Sequence, residues 1–142
     1  MPLLAQINSV VTINTPPKTT VKRNQVVTTD LEIQLRNGFH VNSDKPNDPY
    51  LIPLKLTWAA PAIADASEVT YPKPVMEKLD FSTKPVSIFS GDFKTQTKFK
   101  IAANAPLGEQ VITGKLRYQA CNNRECLPPR TVEVKIPVEI RN

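Results

Sequence analysis

The side chains in this sequence that could do chemistry are the two cysteines, Cys121 and Cys126. Four residues separate them, and a hairpin with such spacing can bring two backbones within the ~4.4–6.8 Å that a disulfide requires. A bridge over about six residues stabilises a fold by roughly 2 kcal/mol, against ~4.7 kcal/mol for a loop of about a hundred. A chain of 142 residues can bury an adequate core without it. The pair therefore indicates either a reversible, exchange-active disulfide or a local structural staple.

The strand pattern around the cysteines predicts that both thiols are accessible. Apolar residues alternate with polar ones from 112 to 120, and Cys121 falls on the polar side of that alternation. Pro128 and Pro129 prevent regular ladder pairing beyond Cys126, so we expect the second thiol in a stiff, partly open segment. A thiolate is the reactive species in exchange chemistry. Arg124 and its sequence neighbours Arg117 and Arg130 could favour it, although Glu125 opposes them and ordinary surface arginines explain them equally well.

The rest of the sequence predicts an all-β fold. Fourteen prolines against four glycines fall between short apolar runs and exclude long helices. Alternation of period two marks strands at 31–36, 50–58, 112–120 and 132–140, and Asn37-Gly38 predicts a hairpin turn. Seven to nine such strands are typical of two packed antiparallel sheets. We expect an immunoglobulin-like β-sandwich, with a jelly roll or an open barrel as alternatives.

We expect one domain over residues 1–142, with residues 1–25 as a peripheral edge strand and loop. The first residues show no basic region followed by an apolar run, so the chain is either cytosolic or a mature fragment with an added methionine. A paired-cysteine β-domain favours the second interpretation, because disulfides persist in oxidising compartments.

Composition and motifs argue against several other classes of function. The net charge of +5 is spread without a basic cluster, which argues against nucleic-acid binding. No apolar stretch approaches the ~20 residues that cross a bilayer. Two cysteines and one histidine do not complete a zinc site, so we expect no metal and no cofactor, and we interpret His40 as an exposed strand residue. Asp44, Asn47 and Asp48 are better explained as a proline-rich loop than as a calcium site.

Two segments resemble a known family. Tyr-Gln-Ala-Cys, a polar spacer and Cys-Leu-Pro-Pro, at residues 118–129, are similar to the active-site segment of the N-terminal periplasmic domain of the thiol:disulfide interchange protein DsbD. The stretches 37–43 and 49–53 are similar to the family's early hairpin and following strand. The resemblance spans roughly residues 30–140.

The resemblance implies an immunoglobulin-like domain that relays electrons. Cys126 would attack a partner disulfide, and Cys121 would resolve the mixed disulfide. An aromatic cap loop shields the thiols in this family, and Phe89 fits that role best, although no acidic pair precedes it. The implied partners are thioredoxin-like periplasmic proteins and a membrane-embedded or thioredoxin-like electron donor. The implied location is the periplasm, within a membrane-anchored protein.

Two hypotheses follow. The first is a thiol–disulfide relay domain, acting as a monomer on protein partners. The second is a passive immunoglobulin-like binding or adhesion module with a local staple. The reduction potential discriminates between them, because structural disulfides resist reduction, with potentials below about −300 mV.

Overall fold

The structure is a computed structural model that describes residues 10–59 and 62–142. This part of the chain forms strands and turns and contains no helix. It therefore also contains no helix long and apolar enough to cross a membrane. The strands are β1 (Val11–Asn14), β2 (Thr19–Lys22), β3 (Val26–Leu35), β4 (His40–Asn42), β5 (Lys55–Trp58), β6 (Ala64–Thr70), β7 (Val75–Glu77), β8 (Val86–Ser90), β9 (Phe93–Ile101), β10 (Gly108–Tyr118), β11 (Ala120–Cys121) and β12 (Arg130–Arg141).

Two four-stranded sheets form the body of the molecule. The front sheet has the order β1-β3-β9-β6 and is antiparallel throughout. The back sheet has the order β2-β12-β10-β5, in which β10 and β12 pair antiparallel over their whole length and β2 joins β12 in parallel. Alternate residues of β9, β10 and β12 are buried, because a pleated strand presents every second side chain to one face.

The inner faces of these sheets share one hydrophobic core. The Trp58 ring of the back sheet packs edge-on against Phe99 of the front sheet, with ring centroids 4.9 Å apart. The Trp58 indole N–H donates to the Thr97 hydroxyl at 3.0 Å, so its polar atom is satisfied where its ring is packed. Two packed sheets without helices confirm the predicted immunoglobulin-like sandwich.

A third sheet covers one part of this body and carries the cysteine segment. This cysteine sheet has the order β11-β4-β8-β7. Its residues Val41, Phe89 and Ala120 lie opposite one another in register and belong to the main core. The chain enters the sheet from β3 through a tight turn in which the Phe39 N–H donates to the Arg36 carbonyl at 3.0 Å. Gly38 takes φ +89° there, a backbone conformation that favours glycine.

Three local predictions were wrong. Asn37-Gly38 turns the chain from one sheet to another and does not form a hairpin, since β3 and β4 do not pair. The strand predicted at 50–58 is confined to β5, because Pro49 and Pro53 cannot donate to a ladder. The region 1–25 contains the paired strand β2 as well as β1, and Val11 and Val21 are core residues. Residues 1–9 lie outside the described residues.

Gly114 marks the closest approach between β10 and β5. A Cβ at this position would lie 2.5 Å from Cε3 of Trp58 and 2.8 Å from the Thr57 carbonyl oxygen. We expect Gly114→Ala to lower the free energy of unfolding by about 1–3 kcal/mol, because the backbone cannot yield without displacing the Trp58 ring. Urea unfolding checks this, with the exposed neighbour Lys115→Ala as the control expected to change it by less than about 0.5 kcal/mol. Equal stability of the two variants would contradict the packing described here.

Candidate redox site

The two cysteines close a tight hairpin that follows β11. The Leu127 N–H donates to the Ala120 carbonyl at 2.8 Å, and the Asn122 N–H donates to the Glu125 carbonyl at 2.9 Å. These bonds flank Cys121 and Cys126, which therefore form the narrow, non-hydrogen-bonded pair of an antiparallel ladder. Their Cα atoms are 3.9 Å apart, and a disulfide joins them. The predicted pairing of the cysteines is thus present in the structure.

Asn122 shapes the tip of this hairpin. Its side-chain oxygen accepts hydrogen bonds from the backbone N–H groups of Arg124, at 2.8 Å, and Glu125, at 2.9 Å. Asparagine favours turns because its side chain can bond the backbone two residues further on. The tip is therefore set by local bonds that do not require the disulfide.

The side-chain amide of Gln119 fixes the position of the hairpin in the fold. Its oxygen accepts from Asn42 Nδ2 at 3.1 Å and from the Ile52 N–H at 3.2 Å. Its nitrogen donates to the Leu127 carbonyl at 3.4 Å. Asn42 also donates to the Ile52 carbonyl at 3.0 Å. The amide thus ties β4, the loop before β5 and the residue after Cys126 to one point.

The two sulfur-bearing residues differ in exposure. Cys121 is 0% exposed, whereas Cys126 is half-buried. The predicted accessibility of Cys121 was wrong, because the chain leaves the back sheet at Gln119 and Cys121 continues in the cysteine sheet. The alternation of β10 therefore does not extend to it. The partial exposure predicted for Cys126 is confirmed.

His40 lies directly beside the pair. It is the antiparallel register partner of Cys121 on one side and of Ser90 on the other. Its side chain is only 6% exposed, so the prediction of an exposed strand residue was wrong. Burial lowers the pKa of His40 below its ordinary 6.5, and the charge of Glu77 opposes this shift. A neutral imidazole therefore stands next to the disulfide at neutral pH.

Phe89 is not placed where a cap would be. It is the register partner of Val41, whereas Cys121 is the partner of His40, so Phe89 and Cys121 point to opposite faces of the cysteine sheet. Phe89 is 3% exposed and lies in the main core, with its ring centroid 5.0 Å from that of Phe93. The expectation that Phe89 shields the thiols is thus not supported by its position.

A different segment covers the face that carries Cys121. Residues 78–84, here called the cover segment, follow β7 and place Leu79 in a small buried cluster with Val86 and Ile88. Asp80 Oδ2 accepts a hydrogen bond from Asn123 Nδ2, in the hairpin tip, at 3.3 Å. Phe81, next in the chain, is 40% exposed. In the sequence, the acidic and aromatic pair Asp80-Phe81 was the available signal for this covering segment, but it lies in a stretch without periodicity.

The arginines near the cysteines are all at the surface. Arg117 and Arg130 are exposed in the back sheet, and Arg124 is exposed at the hairpin tip. Exposed charges are strongly screened by solvent and salt. The structure therefore gives little support to the hypothesis that these arginines favour a thiolate.

A β-sandwich with a bridged cysteine pair in its third sheet, one residue buried and the other half-buried, is compatible with the class of thiol–disulfide exchange domains. The family comparison agrees with this class. The family model described as "Thiol:disulfide interchange protein DsbD, N-terminal" matches residues 11–137, and the chain belongs to this family. No curated protein matches the chain in sequence.

Solved structures are similar to this chain in fold. The N-terminal periplasmic domain of ScsB from Proteus mirabilis has a TM-score of 0.55 at 13% identity, over 91% of this chain and 45% of that chain. AggA, the major subunit of aggregative adherence fimbriae type I from Escherichia coli, has a TM-score of 0.47 at 11% identity, over 92% of this chain and 94% of its own. The chain thus spans less than half the length of the ScsB domain, and that likeness bears on the fold alone.

The difference in exposure predicts an order of modification. After chemical reduction, a brief pulse of iodoacetamide should alkylate Cys126 before Cys121, because the Cys121 sulfur has no open path to solvent. Peptide mass mapping at increasing pulse lengths measures this order. A pulse in denaturant, where both thiols should react alike, is the control. Preferential labelling of Cys121 in the folded domain would contradict the described burial.

Proposed function

We propose that this domain relays reducing equivalents from a membrane-embedded or thioredoxin-like donor to thioredoxin-like oxidoreductases outside the cytoplasm. The observation that carries the proposal is the bridged pair itself, in which Cys121 is wholly buried and Cys126 is half-buried. A pair so arranged presents the Cys126 sulfur to a partner and keeps the Cys121 sulfur buried until the mixed disulfide is resolved. Membership in the DsbD N-terminal family supports thiol–disulfide interchange as the activity.

The exchange would proceed in two steps. In the reduced domain the Cys126 thiolate attacks one sulfur of a partner disulfide, forming a mixed disulfide and releasing the partner's other sulfur as a thiolate. Cys121 then attacks the Cys126 sulfur, so that the intramolecular bridge forms and the second partner sulfur leaves. Two electrons pass to the partner, and the domain returns to the bridged form. The donor restores the dithiol by the reverse sequence.

The fold tolerates both redox states. The bridge closes a loop of about six residues, so its loss costs roughly 2 kcal/mol. The two hairpin hydrogen bonds and the Gln119 amide hold the same backbone without it. A relay requires this independence, because the reduced domain must keep the surface that its partners recognise.

We also propose that the cover segment, and not Phe89, is the element that shields the pair. Asp80 contacts the hairpin tip through Asn123, and Leu79 anchors the segment on the cysteine sheet. An open cleft of about 280 Å³ between Phe81 and the loop at Tyr50 gives the segment room to shift. Displacement of a few exposed residues would thus uncover the sulfurs without disturbing the core.

Reduction by a thioredoxin-type protein tests the relay. We expect the bridge to equilibrate with excess reduced thioredoxin within minutes. Acid quenching, alkylation of the free thiols and mass spectrometry measure the reduced fraction. A Cys121→Ser variant should accumulate a mixed disulfide through Cys126 with a thioredoxin-like partner, whereas Cys126→Ser should not. A bridge that stays closed under these conditions, with a potential below about −300 mV, would instead identify a structural staple.

A pair of phenylalanine variants tests the cover segment. Phe81→Ala should speed alkylation of the reduced thiols severalfold with little loss of stability, because Phe81 is partly exposed. Phe89→Ala should instead lower the free energy of unfolding by about 3–5 kcal/mol, as expected for a core phenylalanine. Alkylation rates and urea unfolding measure the two effects.

Two further variants make this comparison decisive. Phe89→Leu keeps an apolar core side chain and should leave the alkylation rate unchanged. Leu107→Ala removes an exposed apolar residue in the turn before β10 and controls for general surface effects. Faster alkylation in Phe89→Leu with no change in Phe81→Ala would return the shielding role to Phe89.

A further inference from the structure

The imidazole of His40 has a buried nitrogen without a partner. Its Nε2 is inaccessible to solvent and forms no hydrogen bond in the described part of the chain. Most buried side-chain polar atoms in folded proteins are hydrogen-bonded, so an exception requires an explanation. The residue is more than nine-tenths buried.

The β-sheet register places this imidazole next to Cys121. Residues directly opposite in an antiparallel pair project to the same face, with Cβ atoms ~4.5–5.5 Å apart. His40 and Cys121 are such a pair, and Ser90 flanks His40 on the other side. The unsatisfied nitrogen and the protected sulfur thus belong to residues that share one face of the cysteine sheet.

Cys121 needs a group that exchanges protons. Burial disfavours a thiolate, so the pKa of a buried thiol rises above its ordinary value of about 8.5. The Cys121 thiol must nevertheless lose its proton when it attacks the mixed disulfide at Cys126. Because Cys121 is 0% exposed, bulk water is not in contact with it to accept that proton.

We propose that His40 accepts the proton of the Cys121 thiol during resolution of the mixed disulfide and returns it when the bridge is reduced. In the forward step the bond between Cys121 and Cys126 forms, and the bond between Cys126 and the partner breaks. The partner thiolate leaves with the electron pair, and the proton moves to the imidazole. The inference rests on the exchange function proposed above and adds a residue to it.

The charges around His40 suit this role. The lowered pKa keeps the imidazole neutral, and therefore able to accept a proton, at neutral pH. Glu77 of β7 favours the imidazolium once it forms. The β8 partner Ser90 adds no charge. On the cover segment, Lys78 is bound by the Leu79 and Ser82 carbonyls and Asp80 by Asn123.

A coloured aryl disulfide separates the two sulfur steps without any protein partner. The reduced domain, freed of reductant, should release one aryl thiolate when Cys126 reacts and a second when Cys121 resolves the mixed disulfide. Stopped-flow absorbance records both phases. Cys121→Ser should lose the second phase and keep the first, which assigns the phases to the two residues.

His40→Gln should slow the second phase at pH 7 by at least tenfold and leave the first unchanged, since general acid–base groups typically contribute about 10²–10⁴-fold. The wild-type second phase should fall as pH drops through the His40 pKa, below 6.5, and level off above it. In His40→Gln this rate should instead rise in proportion to hydroxide across the same range. Ser90→Ala, which changes the other neighbour of His40, should behave as wild type.

An equal second-phase rate and pH profile in His40→Gln and wild type would overturn the inference. His40→Phe provides a second variant of apolar character if the glutamine variant is unfolded by circular dichroism, and the same loss of the second phase is expected. The chemically reduced domain is used throughout. A failure of the relay in the thioredoxin test would therefore not change the aryl disulfide kinetics expected here. Equal kinetics of His40→Gln and wild type would likewise leave the outcome of the thioredoxin test unchanged.

Discussion

The place of the redox pair in this fold depends on one half-buried amide. Gln119 stands where the chain leaves the back sheet, and its side chain bonds β4, the loop before β5 and the hairpin beyond Cys126. A typical intramolecular hydrogen bond contributes about 0.5–1.5 kcal/mol to stability, so the three bonds of this amide disfavour alternative paths for the chain. The next two residues therefore pair with β4 instead of continuing along β5. This change of sheet puts Cys121 beside His40 and under the cover segment.

Thiol–disulfide exchange imposes opposite demands on the two sulfurs, and the hairpin meets both. A resolving thiol must be protected from stray oxidants, whereas an attacking thiol must reach a partner's sulfur. The narrow ladder pair holds the sulfurs together, while the two positions differ in exposure because Cys121 is in the sheet and Cys126 begins the exit segment. Pro128 and Pro129 keep that exit from joining a ladder. Geometry alone thus gives two chemically identical side chains different exposure to a partner.

Period-two alternation was sufficient to predict the sandwich but not the site. The long strands β9, β10 and β12 each have one face toward solvent, so the alternation in their sequences indicates directly which side chains face the core. In the cysteine sheet, β4, β11 and residues 86–89 of β8 are buried at every position, so burial there no longer follows parity. His40 and Cys121 were therefore predicted to be exposed. Phe89, which the family resemblance suggested as the cap, lies in the main core. Phe81 was missed because its segment has no repeating pattern.

Under the two proposals, the cover segment and His40 are coupled through solvent access. The small cluster of Leu79, Val86 and Ile88 anchors the segment on the cysteine sheet, and the Asp80–Asn123 bond joins it to the hairpin. A partner that displaces the segment would uncover Cys126 and admit water to the same face. A proton held on His40 could then leave to solvent, since the desolvation that lowers its pKa is relieved only while the face is open. Under this proposal, docking of the partner and release of the proton are a single structural event, and the sandwich behind them does not need to move.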